Sequence, residues 1–78
     1  IMEIHDVREI IVNQESKTEV TFYDEWLDTS TYWRRDRICD WLVHHNIDYD
    51  YKQHMGAPKF FTWIMNPKDA TLFIMRYS

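Results

Sequence analysis

The chain has 78 residues, of which 45% are hydrophobic and 17% aromatic, with one glycine and a formal net charge of −4. This apolar bulk excludes a disordered tail, and the short length predicts a single domain over residues 1–78 with a marginal core. The lone cysteine, Cys39, excludes an internal disulfide and favours a reducing, cytoplasmic compartment.

No apolar run approaches the roughly 18 residues of a membrane span, and the first residues lack the charged-then-apolar order of a signal peptide. We therefore expect no membrane association. The charge is unevenly distributed, because residues 1–28 contain eight acidic and two basic side chains while residues 29–78 contain five and seven. Such an asymmetry of charge affects the electrostatic steering of binding partners and the choice between them. It is typical of a solvated edge, of nucleic-acid mimicry or of docking to a basic protein.

The first part of the chain predicts a β-hairpin. Residues 2–12 are rich in β-branched side chains, residues 13–17 form a polar turn, and residues 18–23 alternate in strand fashion. A helix is expected to begin between Asp28 and Ser30, where capping residues are frequent, and to run to about His45. Asn46 suits the left-handed conformation that closes a helix, and Ile47 suits the apolar contact beyond it.

Three further strands are expected after this helix. Residues 47–53 alternate apolar with polar side chains, as in an edge strand, and residues 60–65 form an apolar strand. Residues 66–69 favour a type I turn, because Asn66 and Pro67 suit its first two positions. A fifth strand is expected from Thr71 to Tyr77. The fold class predicted is α+β, in the order β-β-α-β-β-β, with a largely antiparallel sheet and one helix packed on one face.

Four residues of the predicted helix form a candidate partner-binding stripe. Trp33, Arg37 and Trp41 follow one another at four-residue steps, with His44 beside them. Residues at this spacing are neighbours on a helix, and tryptophan and arginine are enriched among interface hot spots. The alternative interpretation is that both indole rings belong to the core, either through rotation of the helix or because the Trp26 segment folds over them.

The predicted sheet carries large apolar side chains on both faces, and one helix covers only one of them. We therefore expect the second face to meet a partner, namely another copy of the same chain in a homodimer. The residues assigned to this oligomer or ligand face are Phe61, Trp63, Leu72 and Ile74.

Specific catalytic signals are absent from the sequence. The four histidines lack partners at the spacing of zinc motifs, and Gly56 stands alone where a phosphate loop needs several glycines. Cys39 falls on the packed face of the helix, where it acts as a small apolar residue. We predict no catalytic residue, no metal and no cofactor.

Three function hypotheses follow. The first is a non-enzymatic interaction or inhibitor module that binds a larger, unidentified protein, a type found among small virus-encoded proteins that bind host factors. The second is a single-stranded nucleic-acid binder that stacks bases on the aromatic and basic C-terminal sheet. The overall acidity opposes this second hypothesis, because it repels phosphates. The third is a small enzyme whose site is shared between subunits.

Overall fold

The computed structural model describes residues 2–25, 30–54 and 59–78. These residues form four strands and two helices in the order β-β-α-β-β-α. The elements are β1 (Met2–Val12), β2 (Glu15–Asp24), α1 (Thr31–His44), β3 (Tyr49–His54), β4 (Lys59–Met65) and α2 (Pro67–Tyr77).

The strands form one sheet in the order β1-β2-β4-β3, and every neighbouring pair is antiparallel. The predicted α+β class and antiparallel sheet are therefore confirmed. Strands β1 and β2 join through a two-residue turn in which Asn13 and Gln14 both have positive φ, 51° and 67°. Two left-handed residues are typical of the turn whose twist matches that of the flanking strands. Strand β2 consequently begins at Glu15, three residues before its predicted start.

Helix α1 ends as its sequence predicts. Asn46 has φ 56°, and its amide donates to the carbonyl of Val43 at 3.0 Å. The amide of Ile47 donates to the carbonyl of Leu42 at 3.0 Å, and the Ile47 side chain is buried. This pair of bonds satisfies two carbonyl groups that the helix end leaves free. At the other end, α1 begins at Thr31 after Ser30, whereas Asp28 and the Trp26 segment lie outside the described residues.

The C-terminal element corrects the prediction, because residues Thr71–Tyr77 belong to helix α2 and form no fifth strand. The described residues therefore form two helices instead of one. Pro67 occupies the first turn of α2, Asp69 lies in the same turn and Arg76 lies in the last turn, three features that favour a helix. The amide of Ala70 donates to the Asn66 carbonyl at 2.9 Å, so the predicted turn is the beginning of the helix.

Both helices pack on the same face of the sheet. The core on that face joins Ile38 and Leu42 of α1 and Phe73 of α2 to the strand residues between them. Phe73 contacts Phe22 and Trp63 with ring centroids 5.6 Å and 6.1 Å apart. The strand residues of this core are Val20, Phe22, Phe61, Trp63 and Met65.

The predicted oligomer or ligand face is consequently wrong as a set of residues. Phe61 and Trp63 are fully buried beneath the helices. Leu72 and Ile74 lie on α2, where Leu72 is 48% exposed and Ile74 packs against the core. The physical reasons are that both helices pack on the sheet face of Phe61 and Trp63, and that residues 71–77 form helix α2 instead of a strand.

The opposite sheet face carries no helix among the described residues. It presents Tyr23 and Phe60, whose ring centroids lie 5.4 Å apart, and the hydroxyl pair of Thr21 and Thr62, whose oxygens lie 3.0 Å apart. Neither helix in the described part of the chain has the length and apolar character needed to cross a bilayer.

Candidate functional site

The predicted stripe on α1 divides into two environments. Trp33 is 71% exposed, and Arg37 and His44 are exposed as well. Trp41 is half-buried and packs against the core. Within the described residues Arg37 does not lie over either indole ring, since the cation–π contacts found there involve other side chains. Trp33 therefore presents most of its surface to solvent, whereas Trp41 is partly structural.

Trp41 connects the two helices. Its ring stacks on His45 at 4.1 Å between centroids and contacts the rings of Phe73 and Tyr77 of α2 at 5.9 Å and 5.8 Å. The Trp41 carbonyl also lies 2.8 Å from Nδ1 of His45. These contacts hold the indole in one orientation at the junction of the helices.

A groove runs between α1 and α2 beside Trp41. Its cavity is about 290 Å³ and adjoins a recess of about 430 Å³ next to Trp33. Both share Arg34 and Arg37, so they form one continuous surface, which we call the α1–α2 groove. The cavity is lined by Met2, Phe22, Arg34, Arg37, Ile38, Trp41, Arg76 and Tyr77, and the recess by Ser30, Trp33, Arg34 and Arg37.

Arg34 is fixed in the floor of the groove by a buried acid. Its Nη2 and Nε donate to one carboxylate oxygen of Asp24 at 2.6 Å and 3.2 Å, and its Nη1 donates to the Ser30 hydroxyl at 2.6 Å. Asp24 is fully buried and needs such a partner, because an unpaired buried charge is costly. The charge of Arg34 is therefore balanced inside the fold.

Arg37 and Arg76 differ from Arg34. Among the described residues neither one forms an ion pair with a carboxylate, and the guanidinium of Arg76 lies 5.1 Å from the centre of the Tyr77 ring. Burial raises the pKa of the Tyr77 phenol, which therefore stays neutral and leaves the positive charge of the groove intact. The α1–α2 groove thus combines two unbalanced positive charges with aromatic walls.

Sequence reasoning found part of this site. Trp33, Arg37 and Trp41 do line the groove, whereas His44 lies outside the lining and faces His45 with ring centroids 5.5 Å apart. The sequence analysis missed Arg76 and Tyr77, because it placed them on a strand. The overlooked signal was the helix pattern of Pro67, Asp69 and Arg76.

A second cavity, of about 440 Å³, lies on the sheet face opposite the helices. A register shift in β1 between Ile4 and Asp6 brings the His5 ring to 5.1 Å from Phe60. A hydrogen bond from Arg8 lowers the pKa of the Asp6 carboxyl, and the two side chains pair at 2.7 Å. The cavity therefore holds charges of both signs. It is lined by His5, Asp6, Arg8, Glu19, Thr21, His54 and Phe60.

Comparison of the chain with protein-family models, with curated proteins and with solved structures finds no match in any of the three. Within the described residues, no group of three or more histidine, cysteine or acidic side chains is placed to hold a metal ion.

Proposed function

We propose that this chain is a non-enzymatic interaction module that binds a larger protein through Trp33 and the α1–α2 groove. The observation that supports this most directly is the 71% exposure of Trp33 beside Arg37. A large ring displayed on a rigid helix loses little conformational freedom on binding, and tryptophan and arginine are frequent hot-spot residues.

The packing of Trp41 supports the same proposal. Because Trp41 is already held by His45, Phe73 and Tyr77, the wall of the groove keeps its shape without a partner. A preformed site avoids part of the ordering cost of association. The single free cysteine, Cys39, supports the further proposal that the module acts in the cytoplasm, where thiols stay reduced.

The competing nucleic-acid hypothesis finds less support in the geometry. Phe61, Trp63 and Phe73, which would stack on bases, are fully buried. Among the described residues, the rings left on the open sheet face include Tyr23, Phe60 and the imidazoles of His5 and His54. The cavity beside them includes the acidic residues Asp6 and Glu19. A phosphate backbone is repelled by such carboxylates. Protein binding is therefore the function that we propose.

The homodimer also remains a prediction, with a changed surface. On this fold a sheet-face dimer would use the side that carries Tyr23 and Phe60, because the helices cover the other side. This dimer and a partner in the α1–α2 groove are compatible, since they occupy opposite sides of the sheet.

Photo-crosslinking tests the proposed binding surface. A photoreactive phenylalanine analogue replaces Trp33 in one variant and Lys52, on the exposed opposite sheet face, in a control variant. Irradiation in an extract of cells that express the protein should give a discrete adduct with a larger protein only from position 33, whereas any adduct from position 52 should have the mass of two copies of the chain. In affinity purification from the same extract, Trp33→Ala should no longer capture the partner that the adduct identifies. The substitution should change the free energy of unfolding by less than about 0.5 kcal/mol, as expected for an exposed position. Undiminished capture by Trp33→Ala would refute the proposal.

A further inference from the structure

We infer that the α1–α2 groove recognises an acidic segment of its protein partner, with a carboxylate held by Arg37 and Arg76 and an apolar side chain packed against the aromatic wall that Trp41 and Tyr77 form. This inference rests on the proposed function and specifies the chemistry of the partner. It begins from the distribution of arginine pairing over the molecule.

The chain contains five arginines, and the structure divides them into two groups. Arg8, Arg34 and Arg35 each pair with an aspartate, at N–O distances of 2.7, 2.6 and 2.9 Å. Arg37 and Arg76 have no acidic partner among the described residues, and both line the same groove. The unbalanced guanidinium groups are therefore concentrated at one site, although the whole chain is acidic, with a net charge of −4.

Guanidinium groups match a carboxylate particularly well. Each presents several N–H donors in a planar fork, so it can hold both oxygens of a carboxylate at once. Two such guanidinium groups on the rim of one groove offer more N–H donors than a single acidic side chain can accept. A segment with several acidic residues can use the remaining donors. A basic segment would bring like charges together.

The walls of the groove specify the remainder of the ligand. Trp41 and Tyr77, both half-buried, supply aromatic surface to the groove. The cavity of about 290 Å³ is at the lower limit of small-molecule pockets. This size suits one or two apolar side chains. An amphipathic segment, with acidic residues flanking an apolar residue, therefore matches both parts of the groove.

Fluorescence anisotropy with two designed peptides tests the inference. Both labelled peptides have about 12 residues and share the same leucines at helical spacing, and their remaining positions are glutamate in one and lysine in the other. The glutamate peptide should bind, and the lysine peptide should bind at least roughly tenfold more weakly. Binding of the glutamate peptide should weaken as the salt concentration rises, because salt screens charge pairs at the rim.

Variants assign the effect to the groove. Arg37→Glu and Arg76→Gln should each weaken binding of the glutamate peptide by roughly tenfold. Lys52→Glu, a matched reversal of an exposed charge on the opposite sheet face, should leave it unchanged. Urea unfolding of all three variants verifies that they are folded. Glutamine is chosen at position 76 because the helix dipole disfavours an acidic residue at the C-terminal end of α2.

Several results would overturn the inference. The first is equal affinity for the two peptides, and the second is no binding of either peptide. The third is a loss of affinity for the glutamate peptide in Lys52→Glu that is as large as the loss in Arg37→Glu. Tighter binding of a labelled single-stranded oligonucleotide would identify phosphate as the ligand, and self-association abolished by Arg37→Glu would identify the acidic hairpin of a second copy as the occupant. If position 33 still crosslinks to a partner while both peptides bind equally, the proposed function survives and only the acidic preference fails.

Discussion

Arg34 and Arg37 lie three residues apart on α1 and have different surroundings. Arg34 donates to the fully buried Asp24, whereas Arg37 is exposed on the rim of the groove without an acidic partner among the described residues. The side-chain types are identical, so burial of the neighbouring carboxylate makes the difference. We therefore assign Arg34 to folding, whereas the proposed function gives Arg37 a role in binding.

Arg34→Met should lower the free energy of unfolding by about 3 kcal/mol, the lower end of the cost of removing one side chain of a buried ion pair. Urea denaturation measures this loss. The double variant Asp24→Asn with Arg34→Met should lose less than the sum of the two single changes, because the pair is broken only once. Strictly additive losses would show that the two side chains do not interact.

Tyr32 should be the first of four tyrosines to ionise as the pH rises. A hydrogen bond from Lys59 lowers the pKa of the Tyr32 phenol, whereas burial raises the pKa of Tyr49, Tyr51 and Tyr77. Phenolate absorbance follows the titration. Tyr32→Phe should remove the earliest phase and Lys59→Met should delay it, and an early phase that persists in Tyr32→Phe would contradict the assignment.

The tyrosines with raised pKa values also determine how the stability of the fold changes at alkaline pH. The pKa of Tyr51 and Tyr77 is higher in the folded chain than in the unfolded chain, mainly because of burial. Their contribution to stability is therefore complete below the unfolded pKa of about 10 and is lost as the pH rises through the folded value. The free energy of unfolding should fall above about pH 10, and Tyr77→Phe should make that fall shallower.

At the scale of elements, the local signals of α1 and of the hairpin were sufficient for prediction. Asn46 and Ile47 close α1 through contacts within six residues, and Asn13 and Gln14 close the hairpin through a two-residue turn. Helix α2 was misread, because Thr71 and Ile74 are β-branched and the segment follows an apolar strand. The sequence does contain the helical spacing of α2, in which Ala70, Phe73, Ile74 and Tyr77 face the core. The β-branched residues and the preceding apolar strand favour a strand more strongly than this spacing favours a helix.

Two alanine substitutions distinguish the observed helix α2 from the predicted strand. On a strand Phe73 and Met75 would share one face, whereas on α2 Phe73 is fully buried and Met75 is 72% exposed. Phe73→Ala should lower the free energy of unfolding by about 3 to 5 kcal/mol, and Met75→Ala by less than about 0.5 kcal/mol. Similar losses for both variants in urea denaturation would favour the strand.

At the scale of the whole molecule, the two helices form one layer on a four-stranded sheet. Their packing brings Arg37 and Trp41 together with Arg76 and Tyr77, which lie far apart in the chain, to line the α1–α2 groove. The same packing leaves the face of Tyr23 and Phe60 without a helix among the described residues. The molecule therefore has two sides of different chemistry, one basic and aromatic, the other of mixed charge.

The predicted homodimer is tested by the mass in solution. Sedimentation should give twice the 9.7 kDa of one chain, and Phe60→Lys should reduce the mass to that of one chain while the fold is retained. Phe61→Lys, its neighbour on the buried face, should instead unfold the chain. A single-chain mass for the unmodified protein at all accessible concentrations would remove the dimer.

The sequence by itself determined the α+β class, the antiparallel hairpin, and the extent and closure of α1. These properties depend on side-chain alternation and on hydrogen bonds between near neighbours, which the order of residues encodes directly. Only the tertiary structure decided which sheet face is covered and which side chains line the groove. Those properties depend on the packing of distant segments, and one misassigned element, α2, changed the environment of Phe61 and Trp63 as well as its own.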